Sequence, residues 1–252
     1  MIIVKNPAEL ESMRVVCKKT ATILHKVAAK VAPGVTTKEL DDYAAELAKK
    51  EEGRCAFYGY HGFSGHICSS VNEEVVHGVP GRRVVRNGDV VSIDFGLCFG
   101  GFVGDTAITV ACGEIDPKWQ RLLDTTQECL AAAIEKAVEG NRLSDISNAV
   151  QVVAGRDGFS VVRDFVGHGI GRDMHEDPQI PNYGPPGRGP VLKAGMTLAI
   201  EPMINLGVHK TETLNDGWTV VTKDRLPSAH FEHTVAVGKT QAEILTIPVL
   251  DS

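Results

Sequence analysis

The chain has 252 residues, 43% hydrophobic and 23% charged, which excludes a disordered or fibrous protein and allows a globular domain with a sizeable core. A net charge of -6 gives no general attraction for a polyanion, so nucleic acid is not an expected substrate, and the short basic run Arg82, Arg83, Arg86 reads as a solvated turn. Met1 to Lys5 holds no apolar signal segment and no apolar run approaches bilayer length, so no membrane association is expected and the expected compartment is cytoplasmic.

Asn6-Pro7 starts a helix on which Leu10, Met13, Cys17, Ala21, Leu24, Ala28 and Val31 keep helical spacing until Pro33-Gly34. Thr36 and Glu39 form a capping box for a second helix, reaching to about Glu52. Strand-like runs follow from Cys55 to about Cys112. The order then repeats. Asp116-Pro117 opens a helix with Trp119, Leu122, Leu123, Leu130, Ile134 and Ala137 on one stripe, Ser144 opens another that ends near Gly158, and strands run on to about Val237. Two passes of helix, helix and sheet predict a mixed α/β (α+β) chain, 1–252, built as a single domain of two similar halves, about 6–112 and 116–237, with one cleft. Pro178 to Pro190, dense in Pro and Gly, reads as an irregular surface loop near a site. The six cysteines form no CxxC pair and fit buried, reduced thiols.

Val90 to Cys98 and Phe102 to Cys112 are rich in β-formers, and Gly100-Gly101 between them signals a two-residue hairpin. In that register Gly96 faces Asp105 and Asp94 faces Ala107, so Asp94 and Asp105 share a face as diagonal neighbours, about 7 to 8 Å apart, with Gly96 leaving space between them. Two acids on one face of an apolar hairpin resist burial unless a cation compensates them; the plainer alternative is a solvated face. His168 lies in Gly167-His168-Gly169-Ile170-Gly171, where the glycines let backbone approach a ligand. Glu201 ends the apolar strand Met196 to Ile200 before Pro202, and Glu232 lies within the strand-like run Ala229 to Val237. Four carboxylates and a neutral imidazole balance two divalent cations, and oxygen ligands with one nitrogen suit Co, Mn, Fe or Zn.

Val71-Asn72-Glu73-Glu74-Val75-Val76-His77-Gly78-Val79-Pro80, Ser92-Ile93-Asp94-Phe95-Gly96, Gly104-Asp105-Thr106-Ala107, Gly167-His168-Gly169-Ile170-Gly171, Ala199-Ile200-Glu201-Pro202 and Phe231-Glu232-His233-Thr234-Val235 together resemble the type I methionine aminopeptidases, from about Asn6 to about Val237. The resemblance implies a pseudo-twofold pita-bread fold around a central antiparallel sheet, a pair of divalent metal ions, and removal of N-terminal methionine from nascent polypeptides when the second residue is small. It implies that Asp94 holds one metal, His168 and Glu201 the other, and that Asp105 and Glu232 bridge them. Glu201 also becomes the candidate proton shuttle, with His77 and His175 contacting substrate. It assigns the methionine pocket to Phe63, Cys68, Met174 and Trp218, with Tyr60 and Phe57 nearby. Paired metals of this kind serve aminopeptidases and other hydrolases by activating water and polarising the scissile carbonyl.

The chain departs from the family pattern at Ser64-Gly65-His66, which predicts a looser loop at the pocket, and at His230, where the family usually has Gln. A monomer with transient ribosome contact is the expected state. The alternatives are an Xaa-Pro peptidase of the aminopeptidase P and prolidase type and a non-enzymatic binding protein of the same fold. The serine nucleophile elbow, the dinucleotide fingerprint and the HExxH signature are each incomplete here.

Overall fold

In a computed structural model, which describes residues 1–249, α1 (Pro7–Ala28) starts where Glu9 N donates to Asn6 Oδ1 and Asn6 N donates to Glu9 Oε2, both at 3.0 Å. Helix α2 (Thr37–Lys50) has the same reciprocal cap between Thr36 and Glu39. Five strands follow: β1 (Arg54–Cys55), β2 (Cys68–Val71), β3 (Glu74–Val76), β4 (Val90–Phe99) and β5 (Phe102–Ala111). The second pass begins with α3 (Pro117–Ile134) and α4 (Leu143–Arg156). After these come β6 (Ser160–Val161), β7 (Gly167–Gly169), β8 (Glu176–Ile180), β9 (Thr197–Ile200), β10 (Met203–Asn205), β11 (Thr211–Thr213), β12 (Val220–Thr222), β13 (Ser228–His230), β14 (His233–Ala236) and β15 (Glu243–Ile244).

The β4–β5 hairpin has the expected register, with Phe99 opposite Phe102, Gly96 opposite Asp105 and Asp94 opposite Ala107. Gly100 and Gly101 both take positive φ, +60° and +80°, as a tight turn matching strand twist requires. Strand β4 carries β5 along one edge and β1 and β2 along the other, while a second sheet runs β15-β14-β9-β7-β8. All pairings between these named strands are antiparallel among the described residues. Helices α1 and α2 cover the first sheet through Met13, Cys17, Leu24 and Leu40 against Phe95 and Leu97. Helices α3 and α4 cover the second through Leu122, Leu130, Ile146 and Val150 against Leu198 and Val235.

The two sheets meet along a seam of side-chain and backbone hydrogen bonds. Glu232 N donates to Ala107 O at 2.8 Å, Thr106 Oγ1 donates to Glu232 O at 2.6 Å, and Thr234 Oγ1 donates to Asp105 O at 2.7 Å. This seam explains one departure from the expected elements. The run Ala229 to Val237 is not one strand: β13 stops at His230 and β14 starts at His233, because Phe231 and Glu232 leave the ladder where the backbone of Glu232 bonds across to β5. Other expectations also shift. Helix α4 is capped from Arg142, whose N–H donates to Asp145 Oδ2 at 2.8 Å, rather than opened by Ser144. Pro178 lies inside β8, on a cis peptide bond, so the irregular stretch begins after Ile180.

Gly104 lets α1 lie directly on β5. A Cβ there would stand 2.7 Å from Thr20 Oγ1 and 2.9 Å from Cys17 Cα, and the second of these atoms is helix backbone that cannot turn aside. Gly104→Ala is therefore expected to destabilise the fold by about 1–3 kcal/mol, the usual effect of overpacking a close contact. Urea unfolding measures this, and an unchanged midpoint would mean that α1 moves away freely.

Candidate metal centre

Asp94 projects from β4 and Asp105 from β5; their register puts both on the hairpin face turned towards the second sheet. His168 is the middle residue of β7, which runs between β8 and β9. Its flanking glycines admit these neighbouring strands rather than a ligand, contrary to the sequence expectation. A Cβ at Gly167 would meet Ala199 O at 2.5 Å and one at Gly169 would meet Asp177 O at 2.1 Å. Glu201 follows the last residue of β9, and Glu232 sits at the break between β13 and β14.

These five side chains line one cavity of about 220 Å³, together with His77, His175, Tyr60, Phe63, Cys68, Trp218 and Phe57. His61 lines it too, and nothing in the sequence pattern singled it out. A larger depression of about 520 Å³ beside α3 and α4 gathers ordinary surface side chains such as Lys136, Asn148 and Val152, so size alone does not identify the site. Met174 is not on the cavity wall. It packs behind, where its Cε would lie 2.6 Å from a Cβ at Gly96, so the space expected beside Gly96 is filled by Met174 and Phe57.

One ligand atom each from Asp105, His168 and Glu232 lie within 4.8 Å of one another. His168 Nε2 is 3.8 Å from Asp105 Oδ2 and 3.6 Å from Glu201 Oε1. His168 Nδ1 donates to Gly169 O at 2.9 Å, which leaves Nε2 presenting a lone pair to these acids. Asp94 Oδ1, Asp105 Oδ1 and Glu232 Oε1 are buried without a hydrogen-bond partner. Among the described residues no Lys or Arg lines the cavity.

Burial and mutual repulsion dominate the electrostatics. Burial raises the Asp94, Glu201 and Glu232 carboxyls well above the usual range, and the neighbouring acids raise them further. Asp105 is pushed up to about 7 by burial, with hydrogen bonds from Asp94 and Thr106 opposing the rise. Burial lowers His168 to about 3 and keeps its ring neutral. The Cys68 thiol, opposite Asp94 in the β2–β4 register, is also raised well above its usual value by burial and the nearby acids, so it offers no thiolate. Oxygen and imidazole donors, orphaned acceptors and no basic partner are the chemistry that a divalent cation satisfies.

Around this centre His77 takes a left-handed φ of +59°, a strained conformation that the fold holds in place. The next residue must be glycine, since a Cβ at Gly78 would meet Ser69 O at 2.3 Å. His175 shares a 2.7 Å hydrogen bond through Nδ1 with Tyr60 Oη, and its ring centroid lies 4.3 Å from that of His168. Phe63 meets Trp218 edge to face at 5.1 Å. The Ser64-Gly65-His66 segment is tied down rather than loose. Buried Asp41 accepts from His66 N at 2.5 Å, Ile67 N at 3.1 Å and His66 Nδ1 at 3.0 Å, and Tyr58 stacks on the His66 ring. Lys5 and Glu176 form a buried ion pair at 2.5 Å beside His175, a contact across 171 residues that no local pattern reveals.

The chain belongs to metallopeptidase family M24, whose model matches residues 11–239. Methionine aminopeptidase 1 of Bacillus subtilis is 50% identical over 246 residues, which cover 98% of this chain and 99% of that one. The crystal structure of methionine aminopeptidase from Thermotoga maritima superposes with a TM-score of 0.96 at 46% identity, covering 98% and 99% of the two chains. A prolidase from Pyrococcus horikoshii covers all of this chain and 65% of its own at a TM-score of 0.79, but at 19% identity it shows a common pita-bread fold alone. The chain is thus a metal-using aminopeptidase of the pita-bread fold. No helix among the described residues is long and apolar enough to cross a membrane.

The raised acids make the metal-free protein sensitive to pH. Each keeps its proton in the folded state at pH values where the unfolded chain, with ordinary values near 4, has lost it, so stability falls as pH rises from about 4 through 7. His168, lowered to about 3, and His230, also lowered to about 3, oppose this only up to their unfolded value near 6.5, gaining stability as pH rises. Between about pH 6.5 and 8 the carboxylate effect stands alone. Urea unfolding in chelator is expected to show a loss of stability across that window, abolished by added manganese. A flat profile in chelator would mean that the acids ionise freely inside the cavity.

Proposed function

We propose that this chain removes the N-terminal methionine from nascent polypeptides whose second residue is small, using two divalent cations drawn from Co, Mn, Fe or Zn. The observation that carries the reading is one small cavity in which four carboxylates and a neutral imidazole adjoin an apolar, aromatic recess. The full-length likeness to methionine aminopeptidases supports the same substrate. Asp94 would hold one cation, His168 and Glu201 the other, with Asp105 and Glu232 between them. Such a pair, when bound, supplies Lewis acidity at the scissile carbonyl and lowers the pKa of water.

The chain's own groups complete the chemistry. Glu201, largely buried and ionised once a cation lies beside it, is suited to take a proton from water and return it to the leaving amine. Where Tyr60 Oη donates in its 2.7 Å hydrogen bond to His175 Nδ1, the single imidazole proton lies on Nε2, a donor for the oxyanion that develops on the carbonyl. His77, held neutral by burial at about 4, orients the peptide nitrogen. Phe63 and Trp218 form the wall against which an unbranched thioether packs, with Cys68 at its floor. We read the protein as a monomer of two similar halves, about 6–112 and 116–237, acting in the cytoplasm with transient ribosome contact.

Turnover of a Met-Ala-Ser peptide by stripped protein, with defined cations added back, tests the function. No activity is expected without metal, poor activity on Met-Leu peptides, and none on Xaa-Pro peptides. Asp94→Asn is expected to lower kcat by at least about 100-fold, the scale on which lost metal ligation or charge stabilisation acts. Full activity of the stripped protein, or preference for Xaa-Pro, would refute the reading.

A further inference from the structure

Glu201 stands between two imidazoles. His168 Nε2 is 3.6 Å from its Oε1, and His230 Nε2 is 3.6 Å from its Oε2. The two rings differ in kind. His168 is on the cavity wall and its Nδ1 is committed to Gly169 O, so Nε2 offers a lone pair. His230 is not on that wall, is only 2% exposed, and its Nε2 has no hydrogen-bond partner.

With a cation beside Glu201 its carboxyl is ionised, and a buried ring nitrogen 3.6 Å from a carboxylate oxygen then has to present a proton to it. Two lone pairs facing each other out of water repel and leave both groups unsatisfied. A neutral imidazole carries its one proton on either nitrogen, so the surroundings of His230 select the Nε2–H tautomer. The root of the ring is fixed as well. His230 N donates to Thr109 Oγ1 at 2.9 Å, Thr109 Oγ1 donates to His230 O at 2.8 Å, and β13 pairs His230 with Met203 of β10. A short side-chain motion closes the remaining gap to Glu201.

Resting on the metalloaminopeptidase reading above, we propose that His230 is a positioning residue for Glu201: its Nε2–H donates to Oε2 and keeps Oε1 as the oxygen turned towards His168 and the cation. Glu201 is thereby held to one oxygen at the centre and one rotamer. The ring also fills the volume behind Glu201, where water would otherwise hydrate the carboxylate.

Cobalt titration of the full chain by calorimetry, with the visible spectrum of the loaded protein, tests this on the parent, His230→Ala and His230→Gln. His230→Ala is expected to bind cobalt about 10–100-fold more weakly, with a changed d–d band, as loss of a partner to a ligating group does. His230→Gln keeps an N–H donor and is expected to recover most of the affinity and the parental spectrum. Equal affinity and spectrum in His230→Ala and the parent, or a glutamine variant as weak as the alanine one, overturns the proposal. Should His230→Ala fail to fold by circular dichroism, side-chain nitrogen NMR of the zinc-loaded parent decides, with the His230 signals assigned by their loss in His230→Gln. A protonated Nε2 supports the assignment, and a protonated Nδ1 or direct coordination of the ring overturns it. Failure of the parent to release methionine would sink the activity while leaving the cobalt comparison to judge His230 by itself.

Discussion

Four carboxylates are held together out of water with no Lys or Arg among the described residues lining their cavity, and the fold has to overcome their repulsion. Isolated buried charge is among the most unfavourable arrangements a protein can adopt, so the surrounding structure must be stiff or the charge must be compensated. Both apply here. Stiffness comes from the β4–β5 hairpin, which fixes Asp94 and Asp105, and from the seam that bonds Asp105, Thr106 and Ala107 to Glu232 and Thr234. Compensation is what a divalent cation provides, and metal binding is in this sense part of folding.

The residues around the acids follow from that demand. Glycines at 78, 104, 167 and 169 remove side chains where backbone must come within about van der Waals distance of other backbone, which lets the elements around the acids pack closely. His77 is kept in a left-handed conformation by the same close packing. The histidines stay neutral because burial opposes a second positive site, so they serve as lone-pair or single-proton groups rather than counter-charges. Asp41, far from the centre in sequence terms, spends its carboxylate on the amides of His66 and Ile67 and so fixes the segment that leads from Phe63.

Much of this was legible in the chain. The Gly100-Gly101 turn determines which residues face each other, and the pairing of Asp94 with Ala107 followed from that dipeptide and strand alternation alone. Helix caps at Asn6 and Thr36 were equally plain, because their signals are local. What could not be read depended on distant partners. The break at Phe231 and Glu232 comes from β5, more than a hundred residues away, and the composition of Ala229 to Val237 is that of an uninterrupted strand. Met174 belongs to a loop without periodicity, so only the packing against Gly96 locates it. The glycines around His168 were correctly read as a close-approach signal, but what approaches is the neighbouring backbone. The expectation that the four acids, His168 and the histidines at 77 and 175 meet in one place came from the ordered motifs, each short and weak by itself, and these side chains do line one cavity.

Cys68 adds a chemical consequence. It faces Asp94 across the β2–β4 pair, the one sulfur on the wall among the described residues, and burial among acids raises its thiol well above the usual value. A soft anionic ligand at that place would bias the centre towards zinc or copper(I). Without one, oxygen and imidazole donors alone would face a divalent ion, the donor set that suits borderline and hard first-row ions rather than soft ones.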